Sequence, residues 1–189
     1  MLTDALIQLK HLPHYDWTMT VGQFKIPFSD AGRVLATPYQ ELIKGPLIYE
    51  ARHLTSTTIS DREIGVMVEG EMLDRKGVYA IGFFNGNGIN TTDDNDQKDM
   101  LLHFHVSPWK EDRSASLKPI EFGASFMKGM VTETNGIGVD ERERSCYTMK
   151  YEVDKILFTY EYIYQNIDID GPRDRTAKNW YLQAGALTG

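Results

Sequence analysis

The sequence is dominated by segments in which apolar and polar residues alternate one by one. Tyr147, Met149 and Tyr151, for example, alternate with Thr148 and Lys150. Successive side chains of a β-strand point to opposite faces, so this segment predicts a strand with one apolar and one polar face. A soluble sandwich buries the apolar face against a second sheet, whereas a membrane-spanning barrel presents it to lipid. The alternation alone is compatible with both.

The same pattern predicts nine strands. They cover residues 4–10, 17–26, 63–72, 78–85, 100–107, 120–130, 144–153, 155–164 and 179–187. The connections between them run short, long, short, long, medium, long, short, long. A barrel with all its long loops at one end has this order, whereas a Greek-key sandwich has no reason to keep it. The predicted fold class is therefore all-β, an antiparallel up-and-down meander of a transmembrane β-barrel.

Composition and motifs exclude several classes of protein. The chain has 189 residues, a net charge of −7 and no segment near the roughly 20 consecutive apolar residues that a transmembrane helix requires. The sequence has no dense basic stripe of the kind that binds nucleic acid, and we therefore predict no nucleic-acid partner. The single cysteine, Cys146, forms no intramolecular disulfide. We find no convincing catalytic or metal-binding spacing, and we therefore predict no enzyme activity, no metal and no cofactor.

Several segments resemble the phosphate-selective porin O/P family. Residues 21–29 read VGQFKIPFS, residues 61–68 read DREIGVMV and residues 79–88 read YAIGFFNGNG, in the order and approximate spacing of that family. Residues 122–129 and 180–185 are similar to further strands of the same family. The resemblance extends over nearly the whole chain.

The resemblance implies a fold, a location and a function. Family members are outer-membrane barrels of about sixteen antiparallel strands, usually trimeric, that let anions diffuse across the bacterial outer membrane. The expected function is passive diffusion of small anions, phosphate among them, or of small polar solutes. The expected partners are outer-membrane lipid and two further copies in a homotrimer. Nine strands are roughly half of such a barrel, so residues 1–189 are expected to be a single porin domain truncated at both ends.

A second class of function remains open from the sequence. A small, self-contained β-barrel can hold a ligand in its interior or serve as a non-conducting membrane anchor. The two classes differ in where Tyr147, Met149 and Tyr151 point: outward in a membrane channel, and inward in a soluble ligand carrier.

Alternation also predicts which side chains line the pore. The predicted lumen-facing set is Gln23, Lys25, Glu63, Glu69, His103, His105, Glu121, Lys150, Glu152 and Glu161. Because anion selectivity needs cations at a constriction, the anion-contacting candidates are Lys25 and Lys150 on the strands and Arg62 at the entry to the third strand. The alternative for Lys25 is a solvated lysine at a strand end.

The long connection, residues 27–62, is too long and too apolar for a free loop. We predict that it folds into the lumen as a constriction loop and offers Arg33, Lys44 and Arg52 to passing anions, with a short helix over residues 38–44. The alternative is an extracellular cap or a subunit contact.

Charge departs from what the family resemblance implies. The chain carries 27 acidic residues against 20 lysines and arginines, and the predicted strands show no ladder of arginines. A general or weakly anion-selective channel is therefore expected instead of a phosphate-specific one.

Overall fold

The part of the chain that the structure describes folds into one β-sheet. The computed structural model describes residues 4–10, 16–29, 62–93, 96–110, 119–132, 139–153, 156–168 and 175–186. The strands are β1 (Ala5–Lys10), β2 (Trp17–Lys25), β3 (Arg62–Met72), β4 (Gly77–Phe84), β5 (Asp99–Val106), β6 (Ile120–Thr132), β7 (Val139–Val153), β8 (Ile156–Asp168) and β9 (Arg175–Ala186).

Each strand pairs with the next strand along the chain. The order is β1-β2-β3-β4-β5-β6-β7-β8-β9, and every pair is antiparallel. The predicted all-β class and nine-stranded meander are confirmed. The described residues contain no helix, and hence none long and apolar enough to cross a membrane. Within them, β1 and β9 each pair with one neighbour only, so the described sheet is open.

Several strands are longer than their alternation predicted. β6 continues to Thr132, β7 begins at Val139, β8 continues to Asp168 and β9 begins at Arg175. These extensions carry charged residues, which the sequence pattern assigned to loops. Because of these extensions, two connections that were predicted to be long are short: the β6–β7 connection is residues 133–138 and the β8–β9 connection is residues 169–174. The predicted placement of all the long connections at one end is therefore wrong, since the β5–β6 connection at the opposite end, residues 107–119, is longer than both.

The two faces of the sheet differ in exposure. Directly paired residues share a face, and the register therefore places Glu63, Ala80, His103, Ser125 and Cys146 on one face. All five are buried. We call this the buried face and the opposite one the exposed face. Alternation breaks at Gly22, which has φ +128°, and the next two residues of β2 are both buried.

An aromatic contact lies on the buried face near the end of the sheet where β2 and β4 end. The ring of Phe84 lies against Gly65 and Gly82, where a Cβ would come within 2.5 Å and 2.4 Å of ring atoms. Phe24 meets that ring edge to face, with centroids 5.7 Å apart. The two glycines thus leave room for a ring that is fully buried, although the described residues form a single sheet.

Candidate functional site

The buried face carries an unusual number of polar and charged side chains. They lie on the same face as apolar residues such as Met67 and Ile163, and most of them are less than 5% exposed. The set is Thr20, Glu63, Asp99, His103, Ser125, Asp140, Arg142, Arg144, Thr159, Glu161 and Gln165. Buried charge is costly unless it is paired and hydrogen-bonded, so the contacts of these residues define the site.

An ion pair between strands that are not neighbours organises one end of this face. Arg142 Nη2 on β7 lies 2.5 Å from Asp99 Oδ2 on β5, and both side chains are almost fully buried. The intervening strand, β6, has Gly129 at this point. A Cβ at position 129 would lie 1.5 Å from Asp99 Oδ1. The ion pair can therefore form only because residue 129 is a glycine and has no side chain.

Side chains of the sheet bind the connection between β4 and β5 at the same end of the buried face. Arg142 Nη2 also donates to the Gly86 carbonyl oxygen at 3.0 Å, and the Gly88 amide donates to Glu63 Oε2 at 2.9 Å. The Asn90 amide donates to Gln23 Oε1 at 2.7 Å. Residues 86–90 are therefore held by side chains from β2, β3 and β7. We call these five residues the latched segment.

A second segment turns onto the buried face directly after β2. Ile26, Pro27, Phe28 and Ser29 are all buried, and the Pro27 carbonyl oxygen accepts a hydrogen bond of 3.3 Å from Ser125 Oγ in the middle of β6. The described start of the long connection thus runs across the sheet instead of away from it.

The opposite end of the buried face is more open. Ser107 Oγ donates to Glu121 Oε1 at 3.3 Å, and His105 Nε2 lies 3.4 Å from Glu121 Oε2. Lys150 Nζ forms an ion pair with Glu152 Oε2 at 2.9 Å. A cavity of about 460 Å³ opens nearby, with walls that include Thr18, Pro27, Glu69, Ala80 and His103.

The structure places the anion-contacting candidates in different environments. Lys150 stands on the buried face opposite Glu121. Arg62 is the register partner of Lys25 at the ends of β3 and β2, on positions that alternate with Glu63, and it forms an ion pair of 3.1 Å with Asp4. The structure therefore does not bring Lys150 together with the other two. Arg33, Lys44 and Arg52, together with the predicted helix at 38–44, lie outside the described residues.

The register groups most of the predicted lumen-facing set on one face. Glu63, Glu69, His103, His105, Glu121, Lys150, Glu152 and Glu161 share the buried face. The sequence analysis missed Asp99, Asp140, Arg142, Arg144 and Gln165, because it placed them in loops or at a strand end. The alternation of Arg142 and Arg144 with Glu141 and Glu143 was the available signal.

Large apolar side chains cover the exposed face. The register assigns to it Ile7, Leu9, Val21, Ile81, Phe83, Met100, Phe104, Phe122, Phe126, Tyr147, Ile156, Tyr160, Trp180 and Leu182, all of them exposed. The charged residues that the register assigns to this face lie towards the end with the latched segment: Lys25, Arg62, Lys128, Glu141, Glu143, Asp168 and Lys178. Lys128 forms ion pairs with Glu141 and Glu143.

Comparison with known proteins gives no relative: no family model, no curated protein and no solved structure matches the chain. In the part of the chain that the structure describes, no group of three or more His, Cys, Asp or Glu residues is placed to hold a metal ion.

Substituting Gly129 tests the ion pair. We expect Gly129→Ala to displace the Asp99 carboxylate and to lower the free energy of unfolding by about 3 kcal/mol or more, since it separates a buried pair. Urea unfolding followed by tryptophan fluorescence measures this change. Gly185→Ala is the matched control, because nothing lies within 4 Å of a Cβ at that glycine. Equal losses in the two variants would contradict the assignment.

Proposed function

We propose that the chain forms part of the wall of an outer-membrane β-barrel channel through which small polar solutes diffuse passively. In this proposal the exposed face contacts lipid and the buried face lines the lumen. The proposal extends the open nine-stranded sheet to a closed barrel and keeps the function that the porin resemblance implies.

The distribution of residues between the two faces carries the proposal. A sheet in water hides its apolar face and exposes its polar one. This sheet does the reverse: Glu161 and Arg142 are buried, whereas Phe83 and Tyr147 are exposed to 49% and 45%. Exposed apolar surface of this extent marks an interaction with a membrane or another protein. An outward apolar band around a polar interior is the pattern of outer-membrane barrels.

The length of the uncharged run on the exposed face supports a contact with lipid. On β7 the uncharged positions of the exposed face run from Ser145 to Val153, and Glu143 precedes them. At ~3.4 Å per residue they extend roughly 27 Å along the strand. A strand tilt of about 40° reduces this to roughly 20 Å, close to the ~25 Å apolar band of such barrels. The charges of Lys128, Glu141 and Glu143 then lie at the level of the lipid headgroups.

The same distribution argues against the soluble ligand carrier. Tyr147, Met149 and Tyr151 share the exposed face, so they do not line an interior. A non-conducting membrane anchor has the same outer surface as a channel, and a current measurement distinguishes the two.

Closure requires strands beyond those described. Nine antiparallel strands leave β1 and β9 running in the same direction at the two edges. A barrel that is antiparallel throughout therefore needs an odd number of further strands between them. A barrel of about sixteen strands meets that requirement and agrees with the even counts of bacterial barrels.

The charge of the lumen wall bears on the solute. The acidic side chains described on the buried face are Glu63, Glu69, Glu71, Asp99, Glu121, Asp140, Glu152 and Glu161, and the basic ones are Lys10, Arg142, Arg144 and Lys150. Anion selectivity requires the opposite balance at a constriction. Diffusion of small polar solutes is therefore the form of the function that we propose, and phosphate specificity is not part of it.

Current across a lipid bilayer tests the proposal. We expect the closed barrel that contains this sheet, purified and reconstituted into planar bilayers, to give discrete current steps that vary linearly with voltage, because a polar lumen of fixed width conducts without gating. Folded, membrane-inserted protein that gives no steps would favour the anchor instead.

A charge on the exposed face tests the contact with lipid. Leu182 on β9 pairs with Tyr160, which pairs with Met149 at the midpoint of the uncharged run on β7. Leu182→Arg is expected to destabilise the membrane-inserted protein by about 2–4 kcal/mol. Thr176→Arg on the same strand is the control, because Thr176 lies on the same face and pairs with Asn166, the partner of Glu143. Urea unfolding in lipid vesicles measures both. If Leu182→Arg stays within about 0.5 kcal/mol of the parent, as surface substitutions in water do, the exposed face does not contact lipid.

Two glutamates of β7 test which face lines the lumen. Glu152 lies on the buried face and Glu143 on the exposed face. We expect Glu152→Gln to shift the reversal potential in a potassium chloride gradient towards anions, because a lumen charge attracts cations, and Glu143→Gln to leave it unchanged. The opposite ranking would mean that the faces are exchanged.

A further inference from the structure

A groove opens on the exposed face where the uncharged run meets the charged residues. Its volume is about 350 Å³, and its walls include Phe126, Tyr147 and Tyr164 together with Lys128 and Glu143. Small-molecule sites usually have volumes of roughly 300–1,000 Å³. The groove is therefore large enough to hold part of a ligand instead of only roughening the surface.

The groove forms because a small residue stands between two rings. Ser145 on β7 is the register partner of Phe126 on β6 and of Tyr164 on β8. Phe126 meets Tyr147 edge to face, with ring centroids 5.8 Å apart. Lys178 Nζ lies 5.9 Å from the centroid of the Tyr164 ring. The hydroxymethyl group of Ser145 thus leaves a gap with aromatic walls, which suits an apolar chain.

Charged side chains stand at one end of the groove. Lys128 Nζ lies 3.1 Å from Glu143 Oε1 and also forms an ion pair with Glu141. Two carboxylates therefore share one ammonium group, which leaves one negative charge in excess. An ammonium group has three donor hydrogens, and these carboxylates accept two of them. This end of the groove thus offers acceptors to a cationic group and a donor to an anionic one.

The order of the residues along β7 matches the depth profile of a membrane. On the exposed face Glu143 directly precedes Ser145, the first residue of the uncharged run. In a bilayer the groove therefore runs from the level of the headgroups into the hydrocarbon. The excess negative charge disfavours an anionic headgroup, and the two carboxylates favour a headgroup with N–H donors.

We infer that the groove is a binding site for one phospholipid with a zwitterionic headgroup of the phosphatidylethanolamine type. Its primary ammonium donates to Glu141 and Glu143, and its phosphate accepts from Lys128. One acyl chain lies in the gap over Ser145. This inference rests on the proposed function, since it takes the exposed face to contact lipid. It goes further, because general contact with lipid requires no choice of headgroup.

The experiment is a lipid titration followed by native mass spectrometry, with the closed barrel that contains this sheet purified in detergent. The lipids are the dioleoyl forms of phosphatidylethanolamine, phosphatidylcholine and phosphatidylglycerol. The quantity measured is the Kd of the first lipid bound. Phosphatidylcholine tests the N–H donors, because its ammonium is fully methylated, and phosphatidylglycerol tests the charge.

We expect phosphatidylethanolamine to bind roughly tenfold more tightly than either of the other lipids, because only its headgroup donates charge-assisted hydrogen bonds to the carboxylates. Glu143→Gln is expected to reduce this preference to about threefold or less. Equal affinities for the three lipids, or a preference for phosphatidylglycerol, would overturn the site.

Filling the gap tests the groove itself. Ser145→Phe is expected to weaken binding of phosphatidylethanolamine roughly tenfold, since excluding about two methylene groups from the gap already has this effect. The matched control is Ala184→Phe, which adds a ring at an exposed position near the other end of the same face. It is expected to leave the Kd within about twofold of the parent, as surface substitutions do. Equal effects of the two substitutions would overturn the groove as the site.

Two further points keep the test decisive. Glu143→Gln adds no volume, so the headgroup comparison stands even if Ser145→Phe does not fold. Current from the unmodified parent in planar bilayers tests the proposed function separately. Current without a preference for phosphatidylethanolamine would overturn the lipid site alone, whereas absence of current would overturn the channel.

Discussion

Alternation of side chains across nine paired strands is the constraint on which the rest of the structure depends. Once the register is set, every residue of a strand is committed to one face or the other. In this sheet that commitment places Glu161, Arg142 and Arg144 on the buried face and Phe104, Phe126 and Tyr147 on the exposed one. A one-residue slip would exchange the sets. The proposed function follows from which set is enclosed.

Glycines determine where the buried face can hold charge and aromatic rings. Gly129 on β6 lets Asp99 of β5 reach Arg142 of β7, and Gly82 leaves space for the ring of Phe84. An arginine this deeply buried needs several acceptors. Arg142 has at least two, the Asp99 carboxylate and the Gly86 carbonyl oxygen. Together with Glu63 and Gln23, Arg142 therefore joins the strands to the connection between β4 and β5.

Much of the fold was predictable, because period-two alternation indicates strands directly. All nine strands were predicted with the correct neighbours. Four strands were predicted too short at the end with the latched segment, since Asp140, Arg142 and Gln165 were interpreted as loop residues, although a polar buried face accepts them. The ion pair of Asp99 and Arg142 was not predictable, because it joins residues 43 positions apart across an intervening strand. The geometry of the pair depends on Gly129, and a glycine in a strand does not by itself indicate that side chains of the two neighbouring strands meet across it.

The most direct test of the account is which solvent contacts the exposed face. Trp180 on β9 is 65% exposed on that face. It becomes the sole tryptophan when Trp17→Phe and Trp109→Phe are introduced. In reconstituted vesicles, the account predicts that lipids brominated on the acyl chain quench Trp180 fluorescence and that aqueous iodide does not. Quenching by iodide together with no effect of the brominated lipids would show that the apolar face contacts water, and the account would be contradicted.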